Sequence, residues 1–178
     1  MAENDFPKNV TLGNSTYTLR LMTSKDKHTV LNFVQHLSEA DTLFMRRDVT
    51  QPEAVDSWLQ DIERDRTITI LMEEKGSIAA YGSLHYNQLF WNRHLAELRV
   101  LVSSSYRRRG LATVLARELI NFARKLSLDK VVAYVAIEDR RAREVMESLG
   151  FRAEAVLQDW VKTRDERTHD LLIMSIAL

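Results

Sequence analysis

Val100-Leu101-Val102-Ser103-Ser104-Ser105-Tyr106-Arg107-Arg108-Arg109-Gly110-Leu111-Ala112 runs from the end of an apolar, β-type segment into the start of an amphipathic one. Its composition suits an anion. Gly110 and the small Ala112 let main chain approach a ligand closely, and the first turn of the following helix has N–H groups without intrahelical acceptors aimed at the same spot. Three consecutive arginines add cationic donors, at least one of which can pair with a phosphate oxygen. A solvated basic loop is the plain alternative for an isolated R-x-x-G-x-A, so the surroundings decide. Neither G-x-x-x-x-G-K-[ST] nor G-x-G-x-x-G occurs in the chain. That sets aside an ATP-binding P-loop and a dinucleotide fold, and leaves a different phosphate carrier.

Upstream, Leu95 to Val102 alternates as a strand, with Ala96, Leu98, Val100 and Val102 on one face and Leu95, Glu97, Arg99 and Leu101 on the other. Thr67 to Met72 and Ile78 to Tyr86 precede it, joined by Glu73-Glu74-Lys75-Gly76, a length and glycine that suit an antiparallel hairpin. Earlier still, Tyr17 to Met22 is β-type, Ser24 is placed to cap a helix carrying Val30, Phe33, Val34 and Leu37, and Thr50-Gln51-Pro52-Glu53 combines a capping box with an early-helix proline ahead of Val55, Trp58, Leu59 and Ile62. Downstream, Leu111, Val114, Leu115, Leu119, Phe122 and Leu126 mark a long amphipathic helix, and the apolar run Val131 to Ile137 predicts a strand covered on both faces. Asp139 can cap a further helix that ends at Gly150, with Phe151 folding back on Met146, before two last strands, Ala153 to Val161 and His169 to Ala177, around Thr163-Arg164-Asp165-Glu166. The order β-α-α-β-β-β-α-β-α-β-β predicts a mixed α/β fold of about seven strands with helices on both faces of the sheet.

At 178 residues, with two prolines and no Gly/Ser-rich stretch or repeat, the chain reads as a single domain spanning 1–178. Apolar residues at 45% and charged residues at 28% exclude a disordered chain. Basic and acidic residues both number 25, so neither nucleic acid nor an anionic membrane is expected as a partner. The absence of cysteine removes disulfides, thiolate metal sites and a cysteine nucleophile. No apolar run approaches the roughly 20 residues of a membrane helix, and Met1 to Asn14 has no signal-peptide core, so a cytoplasmic location is expected.

Taken jointly, strand, V-x-S-x-x-R-x-x-G-x-A, helix, strand, capping Asp139 and Glu147-Ser148-Leu149-Gly150-Phe151 resemble the core of the GNAT N-acetyltransferase superfamily. The resemblance covers roughly Tyr17 to Leu178 in element order. It implies a central, mostly antiparallel sheet splayed between its fourth and fifth strands, and acetyl-CoA as co-substrate. In that family the backbone of Arg108, Arg109, Gly110, Leu111, Ala112 and Thr113 would cradle the pyrophosphate, with Arg107 alongside. Val100, Leu101 and Val102 would pair with the pantetheine amides. Asp139 stands where the family often has a cofactor-touching asparagine, although a plain helix cap explains it equally.

The implied reaction moves acetyl directly to a primary amine, which must first lose a proton; a lysine-type amine starts near a pKa of about 10.4. Glu97, ten residues before Arg107, resembles the catalytic glutamate of bacterial lysine acetyltransferases in the family. Its alternative is an ion pair with Arg99 or Arg20. The family's proton-donating tyrosine before L-G-F is replaced by Met146, which leaves water, Tyr106 or Tyr134 as substitutes, with Tyr134 expected in the core. The same departure motivates a competing reading, a non-catalytic acyl-CoA-binding or sensing module. His85 and His94 form no metal pattern, so no metal is assigned. Acceptor choice is expected from Glu39 to Val49, Asn87 to Arg93, and Asp159, Trp160, His169 and Asp170, with Leu43, Phe44, Trp91 and Trp160 as candidate walls of an apolar slot. Protein lysines or N-termini and small amines or amino acids stay open as acceptors, and a homodimer is possible.

Overall fold

Alternating burial marks the strand Lys130–Ala136, whereas Ser77–Tyr86 is buried on both faces and Arg152–Lys162 is mostly exposed, and non-local pairing places them all. The structure, a computed structural model, describes residues 5–42, 45, 47–88, 91–163 and 165–178, without the side chains of residues 39 and 40. Leu43, Phe44, Arg46 and Arg164 lie outside the described residues. Strands β1 (Lys8–Leu12), β2 (Ser15–Leu21), β3 (Thr67–Glu74), β4 (Ser77–Tyr86), β5 (Leu95–Val102), β6 (Lys130–Ala136), β7 (Arg152–Lys162) and β8 (Thr168–Ala177) form one sheet in the order β1-β2-β3-β4-β5-β6-β8-β7. Every neighbouring pair is antiparallel except β5 with β6.

The sheet has eight strands where about seven were expected. The extra one is β1, a five-residue edge strand in the polar lead, joined to β2 through Gly13-Asn14 and presenting only alternate half-buried residues. The β3–β4 turn is also tighter than the four-residue connection expected. Pairing continues to Glu74↔Ser77, so only Lys75 and Gly76 turn, both with positive φ (52° and 80°), the two-residue geometry that matches strand twist.

The helices are α1 (Lys27–Gln35), the single turn α2 (Glu39–Thr42), α3 (Pro52–Glu63), α4 (Leu111–Lys125) and α5 (Arg140–Ser148). Two expected caps are displaced by nearby carboxylates. Thr50 donates its hydroxyl to Asp48 Oδ1 at 2.5 Å, so Gln51 is the N-cap of α3 and the capping box does not form. Ahead of α1, Thr23 and Asp26 form the capping box, around a short 3-10 turn, and Ser24 does not cap. At α5 the sequence reading holds. The Ala142 N–H donates to Asp139 Oδ1 at 3.0 Å, and the helix closes with Phe151 N–H on Met146 O (3.0 Å) and Gly150 N–H on Glu147 O (2.9 Å), Gly150 taking φ +94°.

Helices cover both faces. Val30, Val34, Val55, Trp58 and Leu59 from α1 and α3 pack on Leu71, Tyr81 and Leu101, while Leu111, Leu115, Leu119 and Phe122 of α4, with Met146 of α5, pack on Leu19, Ile70, Ala80, Leu84, Leu98 and Val131. A Cβ at Gly82 would stand 2.7 Å from Leu119 Cδ1, so its absence lets α4 lie close on β4.

β6 departs from the expectation that it is covered on both faces. Val131, Ala133 and Val135 are buried, but Val132, Tyr134 and Ala136 are only half-buried. At Tyr134 and Ala136 the cause is the splay, which opens them to a cleft. β5 and β6 pair from Leu95↔Lys130 to Leu98↔Ala133 and then stop, leaving the β6-facing edge of residues 99–102 unpaired.

Candidate active site

The loop after β5 is shaped by two left-handed residues. Ser103 N–H extends the β4 pairing to Ala79 O at 3.0 Å, a 3-10 turn follows at Ser104–Tyr106, and then Arg108 (φ +64°) and Gly110 (φ +84°) reverse the chain into α4. Among the described residues, the six consecutive N–H groups from Arg108 to Thr113 donate to no acceptor. Successive amides in such a turn, continued by a helix N-terminus, form an anion-binding concavity. The buried side chain of Leu111 anchors it from below.

The three arginines do not act as one cluster. Arg107 is ion-paired with Asp41 of α2, which ties that helical turn to the loop. Arg109 lies over the Tyr106 ring at 5.1 Å and donates to Ser105 O at 3.0 Å and Tyr17 Oη at 3.5 Å. Arg108 is exposed beside the unpartnered amides.

Where β5 and β6 part, a cleft of about 450 Å³ opens. Its wall takes Leu98 and Val100 from one face of β5 and Glu97, Arg99 and Leu101 from the other, so it passes through the sheet. Asp139, Ala142 and Met146 close it on the α5 side. Val102 continues the unpaired edge toward the loop but does not line the cleft. Asp139 is therefore a helix cap and a cleft residue at once.

Glu97 sits at the junction of this cleft with a second cavity of about 320 Å³ under α3, and both are lined by Glu97 and Arg99. The Glu97 side chain is 13% exposed, and its Oε1 accepts from Arg99 Nε at 2.6 Å. Arg20 is not its partner. That guanidinium holds Asp26 and Glu73 instead. Across the sheet, Thr67, His85 and Glu97 stand in one row, and Thr67 Oγ1 is 2.9 Å from His85 Nδ1.

Of the proton donors considered, Tyr134 is not a core residue: it is half-buried and lines the cleft. Tyr106 packs against Tyr17 and Arg109, away from both cavities, and burial, then Glu74, push its phenol up. Met146 lines the cleft and brings no exchangeable proton. His169 also lines it, with Nδ1 3.6 Å from the Glu138 carboxylate and a buried Nε2 that has no partner among the described residues.

The expected acceptor segments contribute unevenly. Asp41, Arg47, Val49 and Asn87 line one cavity or the other, whereas Trp91 and Trp160 are 83% and 67% exposed and line neither. Asp170 is occupied by the Asp159 N–H at 2.9 Å. Sequence reasoning missed Arg66, Trp58 and Tyr81 as cavity residues. Tyr81 was hidden in an apolar strand and Trp58 in an apolar helical stripe. Among the described residues no three His, Asp or Glu side chains converge on a metal-sized site.

This geometry has parallels among known proteins. The family model described as Acetyltransferase (GNAT) family matches residues 32–151. YwnH of Bacillus subtilis, provisionally assigned as a phosphinothricin acetyltransferase, is 23% identical over 163 residues, covering 90% of this chain and 99% of the relative. The crystal structure of ribosomal-protein-alanine N-acetyltransferase from Brucella melitensis superposes with a TM-score of 0.79 at 26% identity, over 90% of this chain and 99% of that one. The yncA protein of Salmonella typhimurium, provisionally an acetyltransferase and solved with its cofactor acetyl-CoA, shares the fold with a TM-score of 0.80 at 22% identity, over 91% and 94% of the two chains.

Proposed function

Because the chain belongs to the acetyltransferase (GNAT) family, it is an acetyl-CoA-dependent N-acetyltransferase acting on amines, and we propose how its residues divide that work. The observation that carries the assignment is the run of six unpartnered amides, Arg108 to Thr113, in the loop that follows β5, the strand whose residues Glu97 to Leu101 line the cleft. Those amides and the helix N-terminus suit a pyrophosphate, and the unpaired edge of Arg99 to Val102 suits an amide-bearing arm, so the residues fit the cofactor. Arg108 is the cation best placed to add a phosphate contact, because Arg107 and Arg109 are engaged elsewhere. Asp139 borders the same space.

Bound acetyl-CoA supplies an activated acyl group as its thioester. Glu97 accepts the proton that frees the acceptor's lone pair, directly or through one water, and Arg99 keeps the carboxylate oriented toward the junction. On the far side of the junction, Tyr134 and His169 are the cleft-wall groups that carry exchangeable protons in place of Met146. A thiol of pKa about 8.5 leaves tolerably without one, so this proton adds rate and is not indispensable. The cysteine-free sequence is in keeping with a cytoplasmic location, and the one continuous sheet supports a single domain. The outer strand β7, with Val156 and Trp160 exposed, is the edge on which a homodimer would form.

The test pairs calorimetric titration of acetyl-CoA with free-thiol release over an amine and peptide panel. Glu97→Gln should lower kcat at pH 7 by about 10²- to 10⁴-fold while acetyl-CoA affinity stays the same. An unchanged pH–rate profile in that variant removes Glu97 from the mechanism.

A further inference from the structure

The cavity under α3 carries a positive charge that nothing on its described wall offsets. Three arginines, Arg47, Arg66 and Arg99, face two carboxylates, Asp61 and Glu97. Both carboxylates are already occupied, Asp61 by Arg47 at 3.0 Å and Glu97 by Arg99 at 2.6 Å. Arg66 is exposed at the mouth, and its guanidinium has no partner among the described residues. A polyamine or a lysine-rich segment would bring more cations to a wall whose carboxylates are taken and whose spare charge is positive. An acceptor that carries its own anion would complete the set.

The position of Arg66 fits this. It immediately precedes Thr67, which shares a row with His85 and Glu97 across β3, β4 and β5. Two strand spacings separate the ends of that row, roughly 10 Å, a gap that an arginine side chain and a short bifunctional molecule bridge together. At about 320 Å³ the cavity is at the small end of ligand pockets, too small for a folded partner's surface loop and sufficient for a metabolite. Its floor is preformed: Trp58 Nε1 donates to Thr69 Oγ1 at 2.9 Å, Thr69 Oγ1 lies 2.9 Å from Ser83 Oγ, and the Trp58 and Tyr81 rings pack 4.9 Å apart.

We propose that the acceptor is a small zwitterion, a free amino acid, with its amino group at Glu97, its carboxylate at Arg66 and its side chain against Trp58 and Tyr81. This rests on the placement of Glu97 at the reacting amine. Transfer forms one N–C bond and breaks the thioester C–S bond. One ammonium proton goes to Glu97 before attack, and a second leaves the nitrogen as the tetrahedral intermediate collapses; the departing sulfur keeps the electron pair and takes up one proton, so one proton in all is released.

Two measurements test it on the full chain. The first is thiol release with the standard L-amino acids, their methyl esters, spermidine and a lysine peptide. The second, independent of turnover, is calorimetric binding of the same amino acids and esters to the protein saturated with CoA. Free amino acids should exceed their esters by about tenfold or more in both, as expected for a charge-assisted contact to the carboxylate. Arg66→Gln should erase that preference through KM more than kcat, and Arg66→Lys should restore part of it. Esters, spermidine or the peptide reacting as well as the free amino acids overturns the proposal and leaves the transferase standing. Amino-acid binding that needs Arg66, without any thiol release, supports the chamber and sinks the chemistry assigned to Glu97. Neither binding nor release overturns both.

Discussion

Nothing lies within 4 Å of the position a Cβ would take at Gly110, although its φ of +84° disfavours any side chain. A substitution there costs about 1 kcal/mol in backbone strain and its Cβ meets no protein atom, so its main effect falls on whatever the loop binds. Gly110→Glu should leave circular dichroism and cooperative melting intact while weakening CoA binding by at least about a hundredfold, as expected when a carboxylate displaces a phosphate from charge-assisted amides; calorimetry reads this directly. Gly110 was legible in the sequence because glycine before a helical stripe has a physical meaning. Arg108, with the same left-handed sign, was not, since arginine does not advertise a positive φ. The side-chain roles of Arg107 and Arg109 were equally hidden, because Asp41 and Tyr17, which hold them, lie 66 and 92 residues away.

The elements that could be read in advance are those whose signals are local: the Asp139 cap, the Gly150 stop and the stripe of α4. The splay of β5 from β6 could not be read from periodicity, since Arg99 to Val102 alternate as regularly as the paired residues before them; its expectation came only from family resemblance. β1 escaped notice because a short edge strand buries too little to show a pattern. Gly82 is intermediate: a glycine within a strand signals a close approach, but not to what. Leu119 supplies the answer. Gly82→Val would push into the Leu119 side chain and crowd Leu115, and overpacking of this kind costs about 1–3 kcal/mol. A melting temperature lower by several degrees, with the β4–β5 amides exchanging faster by hydrogen exchange, is the expected result.

At the scale of the molecule, Arg20 ties β2 to both layers. It donates to Glu73 on β3 and, through two nitrogens, to Asp26 at the entry to α1. Burial works to raise the Asp26 carboxyl, but the Arg20 hydrogen bonds and the Thr23 amide outweigh it and hold the group below its ordinary range. A depressed carboxyl contributes stability above its unfolded pKa of about 3.9 and loses it as pH falls through the folded value. Urea midpoints should therefore be insensitive to this group between pH 5 and 7 and fall below about pH 4, and Asp26→Asn should lower stability at neutral pH while flattening that acid limb. The sheet itself is perforated at Glu97, with the cleft reaching the α5 side and the second cavity opening under α3. With acetyl-CoA in the one and the amine in the other, as proposed, donor and acceptor have separate doors, and neither product must wait for the other to leave. Initial-rate plots should intersect, never run parallel; CoA should compete with acetyl-CoA alone, and excess amine should not jam the exit.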